Sequence, residues 1–343
     1  MMATLFYPAR AVERLINVVR IIFGTFILPY LTVFLPWDNT FRKDRSTHFI
    51  FITGCDSGFG YMLSKSMDKK GFSVIATCLT DKGAQKLKSE TSDRLRTMVF
   101  DMTNEKQLDE AVENTKAICG NYGLYCLVNN AGVADEAPFE FQDMAAFRRV
   151  MEINYFAMVA ATKGLMPLLR KSGQSSSGAR VINVASCAGR SSAPAMAAYT
   201  SSKFAVEAFS DSLRREFWSF NVHVSVVEPG FMRTPIATTV DPKGMIARKW
   251  DKASSEVQNA YGYKFFTKIL ENPKRLQAIL QDPQMTIVQM EKNILKAYPK
   301  SRYSAGYDSI FYVASSYMPA FVIDVMCGPF LPRPDEAKFG KYM

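Results

Sequence analysis

A chain of 343 residues, 48% hydrophobic and 22% charged, can bury a full core and is globular in composition, which excludes a disordered polymer. Its net charge of +10 comes from lysines and arginines spread among acids, with no basic stripe interleaved with aromatics; this argues against nucleic acid as a partner and for a solvated surface suited to facing anionic lipid. Six cysteines without CxxC or Cys/His pairing, and only two histidines, His48 and His223 at strand edges, argue against a zinc or other metal site, a disulfide framework and Ser-His-Asp hydrolysis.

In chain order, the first feature is LINVVRIIFGTFILPYLTVFLPW, from Leu15 to Trp37. Only Asn17 and Arg20 interrupt it, and it is long enough to cross a bilayer with some tilt. No small-residue cleavage site follows; DNTFRKDR does, so residues 1–44 read as an uncleaved membrane anchor with its flank. Arg10, Arg14 and Arg20 before it, against Arg42, Lys43 and Arg45 after it, leave the orientation open. A mitochondrial targeting sequence, Arg-bearing and acid-poor, is the alternative.

Short β-branched runs then alternate with helical stretches. HFIFIT (48–53), SVIATC (73–78), LRTMVF (95–100), YCLVN (125–129), ARVINVA (179–185) and VHVSVV (222–227) read as strands. YMLSKSMDKK, KQLDEAVENTKAIC and RREFWSF read as helices between them. Near-continuous apolar strands separated by helices predict an α/β fold, a doubly wound parallel sheet of Rossmann type covered on both faces. The patch SGQSSSG (172–178) reads as a surface loop and marks no domain boundary.

The first strand runs into TGCDSGFG (53–60) and then a helix. Gly54 permits the tight turn, Gly58 lets backbone approach a pyrophosphate, and Gly60 lets helix and strand pack closely. The helix N-terminus then offers free N–H groups to phosphate. Further on, AAYTSSKFAVEAFS (197–210) places Tyr199 and Lys203 four apart, on one face of a predicted helix. Packing accounts for Phe204, Val206 and Phe209; for Tyr199 and Lys203 a shared polar task competes with an incidental phenol and a solvated lysine. Residues 231–280, with Met232, Met245, Trp250, Tyr261, Phe265 and Phe266, read either as a mobile lid over an apolar pocket or as amphipathic helices packed on the core. The chain closes with IFYVASSYMPAFVIDVMCGPFL (310–331), where Asp324 and two prolines favour a segment resting on a membrane over a spanning helix. The expected organisation is an anchor over 1–44, a Rossmann-type domain over 45–308 that includes the region about 231–280, and an apolar membrane-associated segment over 309–343.

TGxxxGxG at 53–60, NNAG at 129–132 and YxxxK at 199–203, in that order, resemble the short-chain dehydrogenases/reductases. TGCDSGFG, TSDRLRTMVFDMT (91–103), EAFSDSLRRE (207–216), VSVVEPGFMRTP (224–235) and SRYSAGYD (301–308) further resemble the membrane-bound retinol dehydrogenases and their hydroxysteroid dehydrogenase relatives. The 3-hydroxybutyrate dehydrogenases share TGCDSGFG and EAFSD and remain a rival. The resemblance implies a catalytic set of Asn154, Ser186, Tyr199 and Lys203, with Tyr199 as base, Ser186 on the substrate oxygen and Asn154 holding a relay water. It implies a dinucleotide against Gly54, Ser57, Gly58, Phe59, Gly60, Asp101, Asn130, Ala131, Gly132, Pro229, Gly230 and Thr234, besides Tyr199 and Lys203. Asp101 would receive the adenine amino group and Lys203 the nicotinamide ribose. Substrate, a lipophilic alcohol or ketone, would meet Ser186 and Tyr199. An endoplasmic reticulum membrane, lipid contact and a homodimer are the further expectations.

The chemistry asks for a phenol deprotonated near neutral pH, since oxidising an alcohol removes its hydroxyl proton as hydride leaves carbon. A free tyrosine titrates near ~10, and lowering it by about three units requires roughly 4 kcal/mol. An ammonium about 4 Å away supplies ~4 kcal/mol at an effective dielectric of about 20, so one lysine at i+4 is expected to suffice, with the charge of an oxidised nicotinamide in addition. Cys78 stands at the end of the second strand, where an acid would bind ribose hydroxyls, and is followed by Leu79, Thr80 and Asp81. No arginine is placed to favour a 2′-phosphate and Ser57 replaces a basic residue, so NAD is expected over NADP, with Lys82 the feature that opposes it. A dinucleotide-binding scaffold without catalysis is the reading from another class, and the intact set of four residues opposes it.

Overall fold

The computed structural model describes residues 45–175, 178–238, 242–271, 279–327 and 332–337. Seven strands form one parallel sheet in the order β3-β2-β1-β4-β5-β6-β7. They are β1 Phe49–Ile52, β2 Ser73–Cys78, β3 Leu95–Val99, β4 Leu124–Asn129, β5 Ala179–Val184, β6 Val222–Pro229 and β7 Arg302–Ala305. Six coincide with predicted runs. The seventh, RYSA, is too short and polar to read as a strand alone; it forms because the β6 edge offers unpaired backbone groups, Val226 pairing with Arg302 and Pro229 with Ala305.

Alternation along the strands sends side chains to both faces. Ile50 and Ile52 join Leu63, Met67, Ile287 and Met290 on one face, and Phe51 joins Val112, Leu165, Leu169 and Leu213 on the other. Each of these fully buried side chains contributes about 1.5–3 kcal/mol, which makes the sheet a rigid platform. The helices that cover it include α1 Gly58–Lys69, α2 Asp81–Ser89 and α3 Glu105–Cys119. Next come α4 Met144–Met151, α5 Ala157–Gly173 and α6 Ala197–Phe217. RREFWSF is not a separate helix. Its first residues complete α6, whose apolar face is continuous from Ala198 to Leu213, and Trp218–Phe220 close it as a 3-10 turn.

Among the described residues of 231–280 are four short helices, α7 Pro235–Thr238, α8 Pro242–Lys252, α9 Ser255–Tyr261 and α10 Tyr263–Ile269. Trp250, Phe265 and Phe266 bury themselves against Ile246, Ile269 and Phe141 in a cluster of their own. Trp250 stacks on Phe266 with centroids 4.8 Å apart, and Phe141 meets Tyr261 edge-on at 5.0 Å. These aromatics are packed on one another. Lys249 ties the cluster to the loop after β4 through an ion pair with buried Asp135, which Arg149 also holds at 2.9 Å.

After α11 Gln284–Leu295 and β7, the closing apolar segment forms two short helices, α12 Tyr307–Ser315 and α13 Ala320–Cys327. Among the described residues no helix is long and apolar enough to cross a membrane. The anchor expected over 1–44 lies outside the described residues. Cys55, Cys78, Cys119, Cys126 and Cys187 are free and buried.

Candidate active site

The strand order reverses between β1 and β4, and the crevice that this opens beyond their carboxyl ends is the general binding place of such sheets. The turn after β1 forms its floor. Gly54 has φ +70°, and a methyl there would lie 2.8 Å from Ala131 Cα. At Gly60 a methyl would lie 2.3 Å from the Gly54 carbonyl oxygen and 2.6 Å from Asn130 Nδ2, so only glycine lets α1 start this close to the strand. Gly58 also has positive φ, and its open side faces Thr234 and Pro235. Ser57 caps α1 without a side-chain hydrogen bond, leaving the N–H groups of Phe59 and Gly60 without a capping acceptor.

Thr53 and Asn130 lock this floor to β4. Thr53 Oγ1 accepts from the N–H groups of Asn130 and Ala131, both at 2.9 Å. Asn130 Nδ2 donates to the carbonyls of Thr53 and Gly54 at 2.9 and 3.1 Å. Beneath, Asn129 donates to Thr162 and Asn183, and Asn183 to Ser210, a buried polar ladder across β4 and β5. Neither Thr53 nor the ladder stood out in the sequence; a threonine at a strand end and asparagines in apolar runs were the available signals.

Asn154 lies in a π-helical stretch, Glu152–Phe156, between α4 and α5. Such bulges recur at functional sites because the extra residue re-aims a side chain. Here Asn154 is buried, accepts from the Val133 N–H at 2.8 Å, and donates to the Val133 carbonyl at 2.9 Å and Ser202 Oγ at 3.0 Å. Gly132 keeps the space in front of it open, for a methyl there would lie 3.2 Å from Asn154 Oδ1 and 3.6 Å from Lys203 Nζ.

Tyr199 and Lys203 occupy the first turns of α6, which follows Ala195 in the left-handed region at φ 64°. The Ala137 N–H donates to the Ala195 carbonyl at 2.9 Å, fixing the entry of that helix. Ser186, just past β5, accepts from the Ala188 N–H at 3.1 Å, donates to the Pro229 carbonyl at 3.5 Å, and lies close enough to the Tyr199 hydroxyl to favour its charged form. The structure thus brings Ser186, Tyr199, Lys203, Asn154 and Gly132 to one place at the mouth of the crevice.

Lys203 Nζ donates to the Val184 carbonyl at 3.0 Å and lies 5.6 Å from the Tyr199 ring centroid. Burial lowers the Lys203 ammonium to about 8, opposed by the charge of Glu207. Burial likewise pushes the Tyr199 phenol up, and the hydrogen bond from Ser186 offsets this only in part. Desolvation thus opposes the charged form of each group.

The segment after β6 is held from the chain's far end. Asp308 accepts from the Phe231 N–H at 2.6 Å and from Gln281 Nε2 at 2.6 Å, and a methyl at Gly230 would fall 1.8 Å from its carboxylate. Pro229 and Thr234 are buried beside it. Glu228 beneath pairs with Arg190 at 3.2 Å, and Arg302 with Glu207 at 3.1 Å. Asp101 stands apart from the group: it is exposed at the end of β3 and accepts from Thr103 N–H and Oγ1 at 2.9 and 2.8 Å, a turn acid in its own loop.

A family profile described as short chain dehydrogenase matches residues 48–244. Retinol dehydrogenase 16 of Rattus norvegicus is 41% identical over 292 residues, spanning 84% of this chain and 90% of the relative. Retinol dehydrogenase 5 of Mus musculus is 39% identical over 322 residues, spanning 90% and 99%. Among solved structures, a short-chain dehydrogenase from Streptomyces avermitilis superposes with TM-score 0.64 at 22% identity, covering 78% of this chain and 91% of its own. One from Burkholderia cenocepacia J2315, in complex with NADP, gives 0.62 at 20% identity, covering 83% and 98%.

Proposed function

The chain belongs to the short chain dehydrogenase family, oxidoreductases acting on CH–OH donors, and from that premise we propose that it transfers hydride between NAD(H) and a lipophilic alcohol or ketone, such as a retinol or a hydroxysteroid, at a membrane. The observation that carries this is the meeting of Tyr199 and Ser186 hydroxyls beside a buried Lys203, at the mouth of a glycine-floored crevice.

The residues present fit a dinucleotide. Gly54, Gly58 and Gly60 leave a cradle that side chains would fill, with uncapped N–H groups at the start of α1 suited to phosphate. Ser57, Phe59, Asn130, Ala131, Gly132, Pro229, Gly230 and Thr234 line the same floor and walls, and Lys203 is placed for a ribose. When bound, the dinucleotide supplies the hydride acceptor or donor. Tyr199 takes the hydroxyl proton of the alcohol, or returns it to a carbonyl, while Ser186 holds the substrate oxygen where charge develops. Asn154 fixes Val133 and the floor around Lys203 and is placed to order a relay water. Burial favours the neutral phenol, and positive charge brought near Tyr199 favours its deprotonated form.

The lipophilic substrate and the membrane rest on the chain's end and on its relatives. Ile310, Phe311, Tyr317, Met318, Phe321 and Val325 on and between α12 and α13 are all about half exposed or more, a contiguous apolar surface suited to the lipid interface. The retinol dehydrogenases among its relatives are named for such a substrate. An endoplasmic reticulum membrane, with residues 1–44 as anchor, and a homodimer complete the reading. The 3-hydroxybutyrate alternative calls for a cation facing the substrate, and Arg190, the arginine nearest Ser186 in sequence, is committed to Glu228 and Tyr317. To test the proposal, membranes carrying the protein are given NAD or NADP with a panel of retinoids, hydroxysteroids and 3-hydroxybutyrate. Nicotinamide reduction with a lipophilic alcohol and NAD is expected; none with any of them, or turnover of the small acid alone, would sink it.

A further inference from the structure

In the crevice, the carboxyl end of β2 is where a dehydrogenase reads the adenosine ribose, and β2 ends here on Cys78. That thiol is buried and its pKa is pushed up to about 12, so it presents no charge to the crevice. Leu79 and Thr80, which follow, are exposed. The missing acid arrives from another strand. Asp56, in the turn after β1, reaches across: one carboxylate oxygen accepts from the Leu79 N–H at 2.7 Å, the other from the Thr80 N–H at 3.0 Å and Thr80 Oγ1 at 2.7 Å. Gly83 makes room, since a methyl there would lie 2.5 Å from that second oxygen. Thr80 Oγ1 in turn caps α2 by accepting from the Gly83 N–H at 3.1 Å. The glycine turn, the end of β2 and the start of α2 are therefore joined through one half-buried carboxylate. Asp81 and Lys82 on α2 are exposed.

We propose that Asp56 is the residue that determines dinucleotide choice: it supplies from the glycine turn the negative charge that the end of β2 lacks, accepting a free ribose 2′-hydroxyl and repelling a 2′-phosphate. The inference rests on the oxidoreductase reading above and adds to it the residue responsible. A phosphate monoester carries close to two negative charges at neutral pH, and an unneutralised carboxylate beside it in a partly desolvated crevice opposes binding. The hydrogen bonds from Leu79 and Thr80 hold the carboxylate in place without cancelling its charge, and Lys82 points from a flexible exposed stem.

Binding of NADH and of NADPH to the full chain, followed by fluorescence titration, tests this without turnover. The wild type is expected to bind NADH at least about tenfold more tightly than NADPH. Asp56→Asn, nearly isosteric, should narrow that ratio about tenfold or more through a gain for NADPH, and Asp56→Ser should do the same if the first variant melts early. Adding Leu79→Asp to Asp56→Asn returns a carboxylate to the strand end and should restore the preference for NADH. Equal weakening of both dinucleotides by Asp56→Asn and Asp56→Ser would make the residue a mere buttress and overturn the proposal while leaving the oxidoreductase reading intact; a wild type that favours NADPH would overturn the proposal and change only the dinucleotide in that reading. A wild type that binds neither dinucleotide would overturn both.

Discussion

Lys203 and Tyr199 are held at a cost to the fold. Lys203 is almost fully buried, and its ammonium is lowered from 10.5 to about 8 by that burial. Between those values the unfolded chain carries a proton that the native chain has released, so native stability rises with pH across that window; below about 8 both states are protonated and the full cost remains. A gap of that size is worth on the order of 3 kcal/mol at ~1.36 kcal/mol per unit. Chemical denaturation of wild type and Lys203→Met across this range checks it: the wild type should gain stability relative to the variant as pH rises from about 8 toward 10.5, and a constant difference would contradict the assignment. The i+4 spacing of the pair was legible in the sequence. What spacing could not show is that Lys203 would turn to the Val184 carbonyl, because that partner lies on β5, distant in the chain.

At the scale of elements, the turn between β1 and α1 is the part that tolerates least change. Gly60→Ala would drive a methyl into the Gly54 carbonyl and Asn130, which are tied together by the hydrogen bonds of Asn130 to Thr53 and Gly54. Overpacking of this kind typically costs about 1–3 kcal/mol. We expect a lower melting temperature together with loss of dinucleotide binding, read by thermal melting and NADH titration; an unchanged melt would show the turn to be pliable. Strands β1 to β6 were readable because continuous β-branched runs are a local signal. β7 was not, because RYSA gains its identity only from the β6 edge. The Asp308 clamp on Phe231 and the Asp56 bridge to β2 were invisible for the same reason: each joins residues far apart in sequence. Asp101 stands exposed at the end of β3, where its carboxylate accepts from Thr103 in its own loop.

Over the whole molecule, one sheet carries two unlike ends. The crevice side gathers Ser186, Tyr199 and Lys203, and the apolar helices α12 and α13 stand beside it, joined through Arg190, which pairs with Glu228 and donates to Tyr317 at 2.9 Å. This link gives the apolar surface a direct connection to the loop that carries Ser186, consistent with a substrate that arrives from lipid. The proposed reaction is oxidation of a lipophilic alcohol at Tyr199 and its neighbours by hydride transfer to NAD. The most direct measurement supplies membranes carrying the protein with NAD and a retinol or hydroxysteroid deuterated on the carbinol carbon, and follows deuterium in the nicotinamide by mass. Wild type should yield deuterated NADH, and Tyr199→Phe should lower that yield about 10²–10⁴-fold while still binding NADH. Unlabelled nicotinamide with wild type and every alcohol offered, or full transfer by Tyr199→Phe, would contradict it.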